Sequence, residues 1–107
     1  MPVREINVTE LESVLRTGAP LVDVRETDEY LDGHVPGAVH VALGTVPDRV
    51  DAFLVEGTTY VICRSGARSM RACEFLAQQG LDVVNVAGGT LDWAAGGRPV
   101  VTGSSPL

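Results

Sequence analysis

Short apolar runs alternate with stretches of helical period along the chain, and glycine or proline marks most of the junctions. That alternation predicts a parallel α/β sheet, whose strands are covered on both faces and so run nearly continuously in β-branched residues. Leu21-Val22-Asp23-Val24, Ala38-Val39-His40-Val41, Tyr60-Val61-Ile62-Cys63 and Val83-Val84-Asn85-Val86 read as such strands, with Arg4-Glu5-Ile6-Asn7-Val8 as a weaker fifth.

Between the strands, Thr9 and Glu12 have the spacing of a capping box, followed by Leu11, Val14 and Leu15 on one face and Gly18 as the stop. A second helix is predicted over Thr45 to Leu54, where Val46, Val50, Phe53 and Leu54 keep the helical period and Pro47 sits in the first turn. The third runs from Ser69 to Gln79, with Met70, Cys73, Leu76 and Ala77 as its apolar stripe and Gly80 at its end. Shorter helical turns fit Thr27 to Asp32 and Thr90 to Ala95. Pro36-Gly37 suits the centre of a type II turn, because proline presets the first position and glycine allows a positive φ at the second. No internal repeat is visible. Residues 1–101 are expected to form one domain, and Thr102 to Leu107 a flexible tail.

Composition narrows the function classes. A chain of 107 residues holds one core, and 45% apolar residues are ample to build it. Two cysteines are too few for a disulfide framework or a multi-thiolate zinc site, so any chemical role they have is as thiols. A net charge of −6 argues against nucleic acid and anionic membrane as partners. No stretch approaches the roughly 18 apolar residues of a membrane span, and the N-terminus lacks a signal-peptide pattern, so a cytoplasmic, reducing setting is expected. The charge distribution is more telling than its sum. All eight basic residues are arginines, three of them fall at positions 64, 68 and 71, and no acidic residue lies between Val61 and Arg71. Such a local excess suits a small anion.

Cys63 ends a predicted buried strand, and Arg64-Ser65-Gly66-Ala67-Arg68 separates it from the third helix. Open α/β sheets bind ligands at the carboxyl ends of their strands. A short loop curling back to a helix N-terminus turns backbone N–H groups inward as an anion nest, which Gly66 permits, and the helix dipole adds partial positive charge. Helix N-termini and neighbouring arginines lower a cysteine pKa from about 8.5 to roughly 3.5–7.5, which would make Cys63 a thiolate nucleophile near neutral pH.

The segment Cys63-Arg64-Ser65-Gly66-Ala67-Arg68-Ser69 resembles the active-site loop of single-domain rhodaneses, the thiosulfate sulfurtransferases. Three more segments agree in order and approximate spacing: Leu21 to Glu26, Glu29-Tyr30 with Gly33 to Ala38, and Asn85 to Gly89 followed by Trp93. The resemblance implies a small α/β fold with a five-stranded, mainly parallel sheet flanked by helices. It further implies a persulfide carried on Cys63 and no metal or organic cofactor. Thiosulfate, or a similar anionic donor, would be held by Arg64, Arg68 and the loop amides of Ser65, Gly66 and Ala67. The acceptor would be cyanide, a small thiol or a protein thiol. Arg64 at the second loop position favours thiosulfate over 3-mercaptopyruvate, and Ala42 departs from a proline common after the third strand.

Other residues have plainer expectations. Cys73, within the apolar stripe of the third helix, is read as packing rather than as a resolving thiol. Asp23 and Arg25 are read as charges bracing loops, His34 as a turn-stabilising residue, His40 as packed or hydrogen-bonded, Gly88-Gly89 as a tight turn and Trp93 as a core anchor. Two alternatives remain: a sulfur-relay or interaction module that engages a protein partner, and a phosphatase or arsenate reductase. The second needs a loop one residue longer, with an arginine where Ser69 stands.

Overall fold

The computed structural model describes residues 2–107. Five strands form one sheet in the order β1-β5-β4-β2-β3, where β1 is Arg4–Ile6, β2 Leu21–Asp23, β3 Val39–His40, β4 Thr59–Ile62 and β5 Val83–Val86. Every pairing is parallel, with Leu21 opposite Tyr60, Tyr60 opposite Val84 and Arg4 opposite Val84. The expected α/β class and five-stranded sheet are therefore present. Among the described residues, the one antiparallel contact is an isolated bridge between His34 and Val101.

Alternation along the strands divides the core into two layers. Val22, Val61, Cys63 and Val83 face a layer filled by Val46, Phe53, Ala72, Cys73 and Leu76. Leu21, Ile62 and Val86 face the other, with Leu11, Tyr30 and Trp93. The helices accordingly lie on both faces: α3 (Ala67–Gln78) with the 3₁₀ segments on one, α1 (Val8–Leu15), α2 (Thr27–Asp32) and α4 (Gly89–Ala95) on the other.

Several local expectations are corrected. Helix α1 starts before Thr9, because its capping box is Asn7 with Glu10: the Asn7 side chain accepts from Glu10 N at 2.8 Å, and Glu10 Oε1 accepts from Asn7 N at 3.2 Å. Instead of one α-helix over Thr45 to Leu54 there are two 3₁₀ turns, Leu43–Asp48 and Val50–Phe53. Pro47 supplies no N–H to that segment, and Arg49 at φ −123° interrupts it. Helix α3 begins two residues early, because the bend that precedes it is completed at Gly66, with φ +111°. Its buried face is Ser69, Ala72, Cys73 and Leu76, leaving Met70 and Ala77 half-buried.

The Val35-Pro36-Gly37-Ala38 turn forms with Gly37 at φ +93° and a 3.0 Å bond from Ala38 N to Val35 O. The segment after residue 101 is hydrogen-bonded back onto this turn: Gly37 N donates to Pro106 O at 2.8 Å, and a His34 ring nitrogen meets Ser105 O at 2.8 Å. No helix among the described residues is long and apolar enough to cross a membrane.

Candidate functional site

Strand β4 lies in the middle of the sheet, so the loop that follows it emerges between the ends of β5 and β2. Cys63 is its first residue and is 1% exposed. Its carbonyl points away from the loop interior, where Thr90 holds it with both its N–H, at 2.9 Å, and its hydroxyl, at 3.0 Å. Leu91 N holds the Arg64 carbonyl in the same way at 2.9 Å. With these two carbonyls anchored on the first turn of α4, the loop can turn N–H groups inward: Gly66 N donates to Cys63 Sγ at 3.1 Å.

The close approach of α4 depends on Gly89. A Cβ there would lie 2.5 Å from the carbonyl oxygens of both Cys63 and Arg64, and φ is +58°. The tight turn expected at Gly88-Gly89 is thus also the seat of the Cys63 loop.

The surroundings of Cys63 shift its thiol towards acidity. Burial pulls its pKa up, but the Ser69 hydroxyl and the backbone N–H groups of Ser69, Gly66 and Ser65 outweigh it and hold the thiol below its usual value. Cys73 has no such donors, and burial pushes its thiol up to about 12. Both cysteines are free thiols.

The arginines divide. Arg68 forms a bidentate pair with Glu29, Nη1 to Oε1 at 2.7 Å and Nη2 to Oε2 at 2.9 Å, joining α3 to α2. The Arg68 guanidinium holds the Glu29 carboxyl down at about 2. Arg64 is exposed and makes no ion pair among the described residues. It borders a cavity of about 330 Å³ between α2 and α4, whose wall includes Arg25, Gly33, Thr90 and Leu91. Ser65 is exposed on the loop and Ala67 at the start of α3, Gly66 is buried, and Arg71 lies exposed on the next turn of the helix.

Asp23 and Arg25 form a buried pair, with Nη2 to Oδ2 at 2.8 Å, and Arg25 also donates to Gly33 O at 2.8 Å. They brace the α2 loop. His34 is fully buried, stacked on Tyr30 with its Nδ1 2.8 Å from Tyr30 O. His40 Nε2 lies 2.7 Å from Arg25 O. Trp93 is buried, with Nε1 donating to Pro99 O at 2.7 Å.

Sequence reasoning missed the polar group beneath the loop. Ser69 Oγ lies 3.3 Å from Cys63 Sγ and 2.5 Å from Asn85 Oδ1, and Asn85 Nδ2 donates to Glu5 Oε2 at 2.8 Å and to Gly66 O at 3.2 Å. The available signal was an asparagine inside an otherwise apolar, fully buried strand, since a buried polar residue is more informative than a buried apolar one.

Comparison with known proteins agrees with this geometry. Residues 7–96 match the family model of the rhodanese-like domain. YtwF of Bacillus subtilis is 36% identical, over 92% of this chain and 98% of that protein. The thiosulfate sulfurtransferase GlpE of Pseudomonas putida is 35% identical, over 79% of this chain and 78% of that protein. Among solved structures, a rhodanese-related protein from Thermoplasma volcanium superposes with a TM-score of 0.87 at 32% identity, covering 94% of this chain and 99% of that one. With a rhodanese-like model matched over most of its length and relatives that include a sulfurtransferase, the chain belongs to the rhodanese-like sulfurtransferase family.

Proposed function

We propose that the protein is a thiosulfate sulfurtransferase working through a Cys63 persulfide. The observation that carries this reading is the Cys63 thiol with its pKa held below the usual value, within a loop that aims the Gly66 N–H at sulfur. The thiolate attacks the outer sulfur of thiosulfate, the S–S bond of the donor breaks and sulfite departs with its electron pair. The anionic outer sulfur of the persulfide then rests against the N–H groups of Ser65, Gly66 and Ala67, at the N-terminus of α3. Cyanide or a thiolate takes that sulfur, and Cys63 leaves as thiolate again. Two displacements on one nucleophile imply ping-pong kinetics.

Arg64 is the cation that meets the dianionic donor and the leaving sulfite, because the Arg68 guanidinium is already engaged by Glu29. Arg68 contributes to the field over the loop and fixes the start of α3. A sulfur relay to a protein thiol uses the same residues, and it is favoured by the exposed Leu91 and Val100 beside the Arg64 cavity. Phosphatase chemistry fits less well, because Ser69 occupies the position of the arginine that would clamp an oxyanion, and its hydroxyl is buried beneath the loop.

Intact mass spectrometry after incubation with thiosulfate tests the reading. The native protein should gain the mass of one sulfur atom, lose it on addition of cyanide, and Cys63→Ser should gain none. A native protein that gains no sulfur, or a serine variant that gains as much, overturns it.

A further inference from the structure

The hydroxyl of Ser69 has one proton and three acceptors within reach: Asn85 Oδ1 at 2.5 Å, Cys63 Sγ at 3.3 Å and Gly66 O at 3.3 Å. The orientation of the Asn85 amide decides among them. Its other end faces the Glu5 carboxylate at 2.8 Å and the Gly66 carbonyl at 3.2 Å, both acceptors, so that end is the NH₂ group. Oδ1 therefore faces Ser69, and only Ser69 can supply the proton between them. Ser69 and Asn85 are both fully buried, so water does not replace a lost partner.

We propose that Asn85 is a positioning residue of sulfur transfer, competing with Cys63 for the single hydroxyl proton of Ser69. With Cys63 as thiol, Ser69 donates to Asn85. Once the thiol has given its proton to solvent, the hydroxyl can turn to the sulfur, but only by leaving Asn85 Oδ1 as a buried acceptor without a donor. That cost limits how far the site stabilises the thiolate. A thiolate stabilised less is a stronger nucleophile, since nucleophilicity falls with thiol pKa. When the acceptor removes sulfur from the persulfide, the same hydroxyl can turn to Sγ and assist its departure. The purpose rests on the sulfur-transfer reading; the competition for the proton does not.

Other charged or titratable groups around Cys63 are Arg68 and Cys73 on α3, Arg64 on the loop, and Glu5 on β1 behind Asn85. None of them changes in the decisive variants, Asn85→Leu and Ser69→Ala. The readout is the rate of Cys63 alkylation by iodoacetamide against pH, followed by mass of the labelled peptide.

Asn85→Leu frees the hydroxyl for sulfur, so the midpoint should move down by about one pH unit, the worth of one hydrogen bond to a charged group, with alkylation about threefold faster on the acid limb and about threefold slower on the alkaline plateau, because the better-stabilised thiolate is the weaker nucleophile. Ser69→Ala should move the midpoint upward. In the Ser69→Ala background, Asn85→Leu should add nothing, as a cycle between two groups acting through one proton requires. A midpoint that does not move or rises in Asn85→Leu, or that moves equally in both backgrounds, overturns the proposal.

Should Asn85→Leu not fold, the surface change Glu5→Ala decides. It leaves the amide held by Gly66 O alone and so loosens the hold of Oδ1 on the hydroxyl; its downward shift should be smaller in the Ser69→Ala background, where only the lost charge acts, and equal shifts overturn the proposal. A native protein that takes no sulfur from thiosulfate would overturn the sulfurtransferase reading and leave this titration intact.

Discussion

The two cysteines are equally buried, at 1% exposure for Cys63 and 0% for Cys73, and face the same core layer, yet their acidities move in opposite directions. Burial raises the pKa of both. The difference is in donors: Cys63 stands where a strand ends and three backbone N–H groups and a hydroxyl converge, whereas Cys73 lies inside a helix whose N–H groups are used by the helix itself. The acidity of a buried thiol is thus set by the donors around it, and exposure plays little part in the contrast.

Gly89→Ala should erase that contrast most completely. Its Cβ cannot coexist with the Cys63 and Arg64 carbonyls, and an alanine at φ +58° is strained in addition, so a loss of about 3 kcal/mol in denaturant unfolding is expected. Sulfur loading of whatever remains folded should fall with it. Native stability would mean that α4 does not seat the loop.

Cys73→Ser sharpens the comparison from the other side. A hydroxyl placed in that buried apolar layer should cost about 1–3 kcal/mol, while sulfur loading of the folded fraction stays at the native level. Lost loading at preserved folding would give Cys73 a chemical role.

The smallest effect is expected at the Glu29–Arg68 pair that fixes the start of α3. Glu29 titrates at about 2 in the folded protein against an ordinary 4.5, so the folded chain binds fewer protons than the unfolded one in between. The pair's contribution is present above about 4.5 and is lost as pH falls towards about 2. Both partners are partly solvated, so Glu29→Gln should cost about 1 kcal/mol at pH 7 and flatten the acid limb of the stability profile. An unchanged acid limb would detach the pair from the loop's support.

The strands and the Cys63 loop are legible because β-branched runs and the Gly66 bend are local signals, but β1 to β4 end at Ile6, Asp23, His40 and Ile62, one or two residues short of their expected ends. The α1 start was misplaced for a local reason as well: Asn7-to-Glu10 and Thr9-to-Glu12 have the same spacing, and only the end of β1 at Ile6 selects the first. The Thr45 to Leu54 segment kept its helical period but not its helix, since Pro47 interrupts the hydrogen-bond ladder. What no local pattern carries is pairing across the fold. Glu29 and Arg68 stand 39 positions apart, and Ser69 and Asn85 stand 16 apart. Residue type shows that each is polar; only the packed sheet decides which polar group each one meets.

The anchoring of the Cys63 carbonyl on α4 also has a consequence for the nascent chain. Thr90 is synthesised 27 residues after the cysteine it holds, and Asn85 and Leu91 also belong to this last part of the domain. A growing chain that has just produced Cys63 has nothing yet to hold that carbonyl back or to gather donors around the sulfur. The donors that lower the pKa of the thiol are therefore gathered only when β5 and α4 dock, so its acidity arises together with completion of the fold.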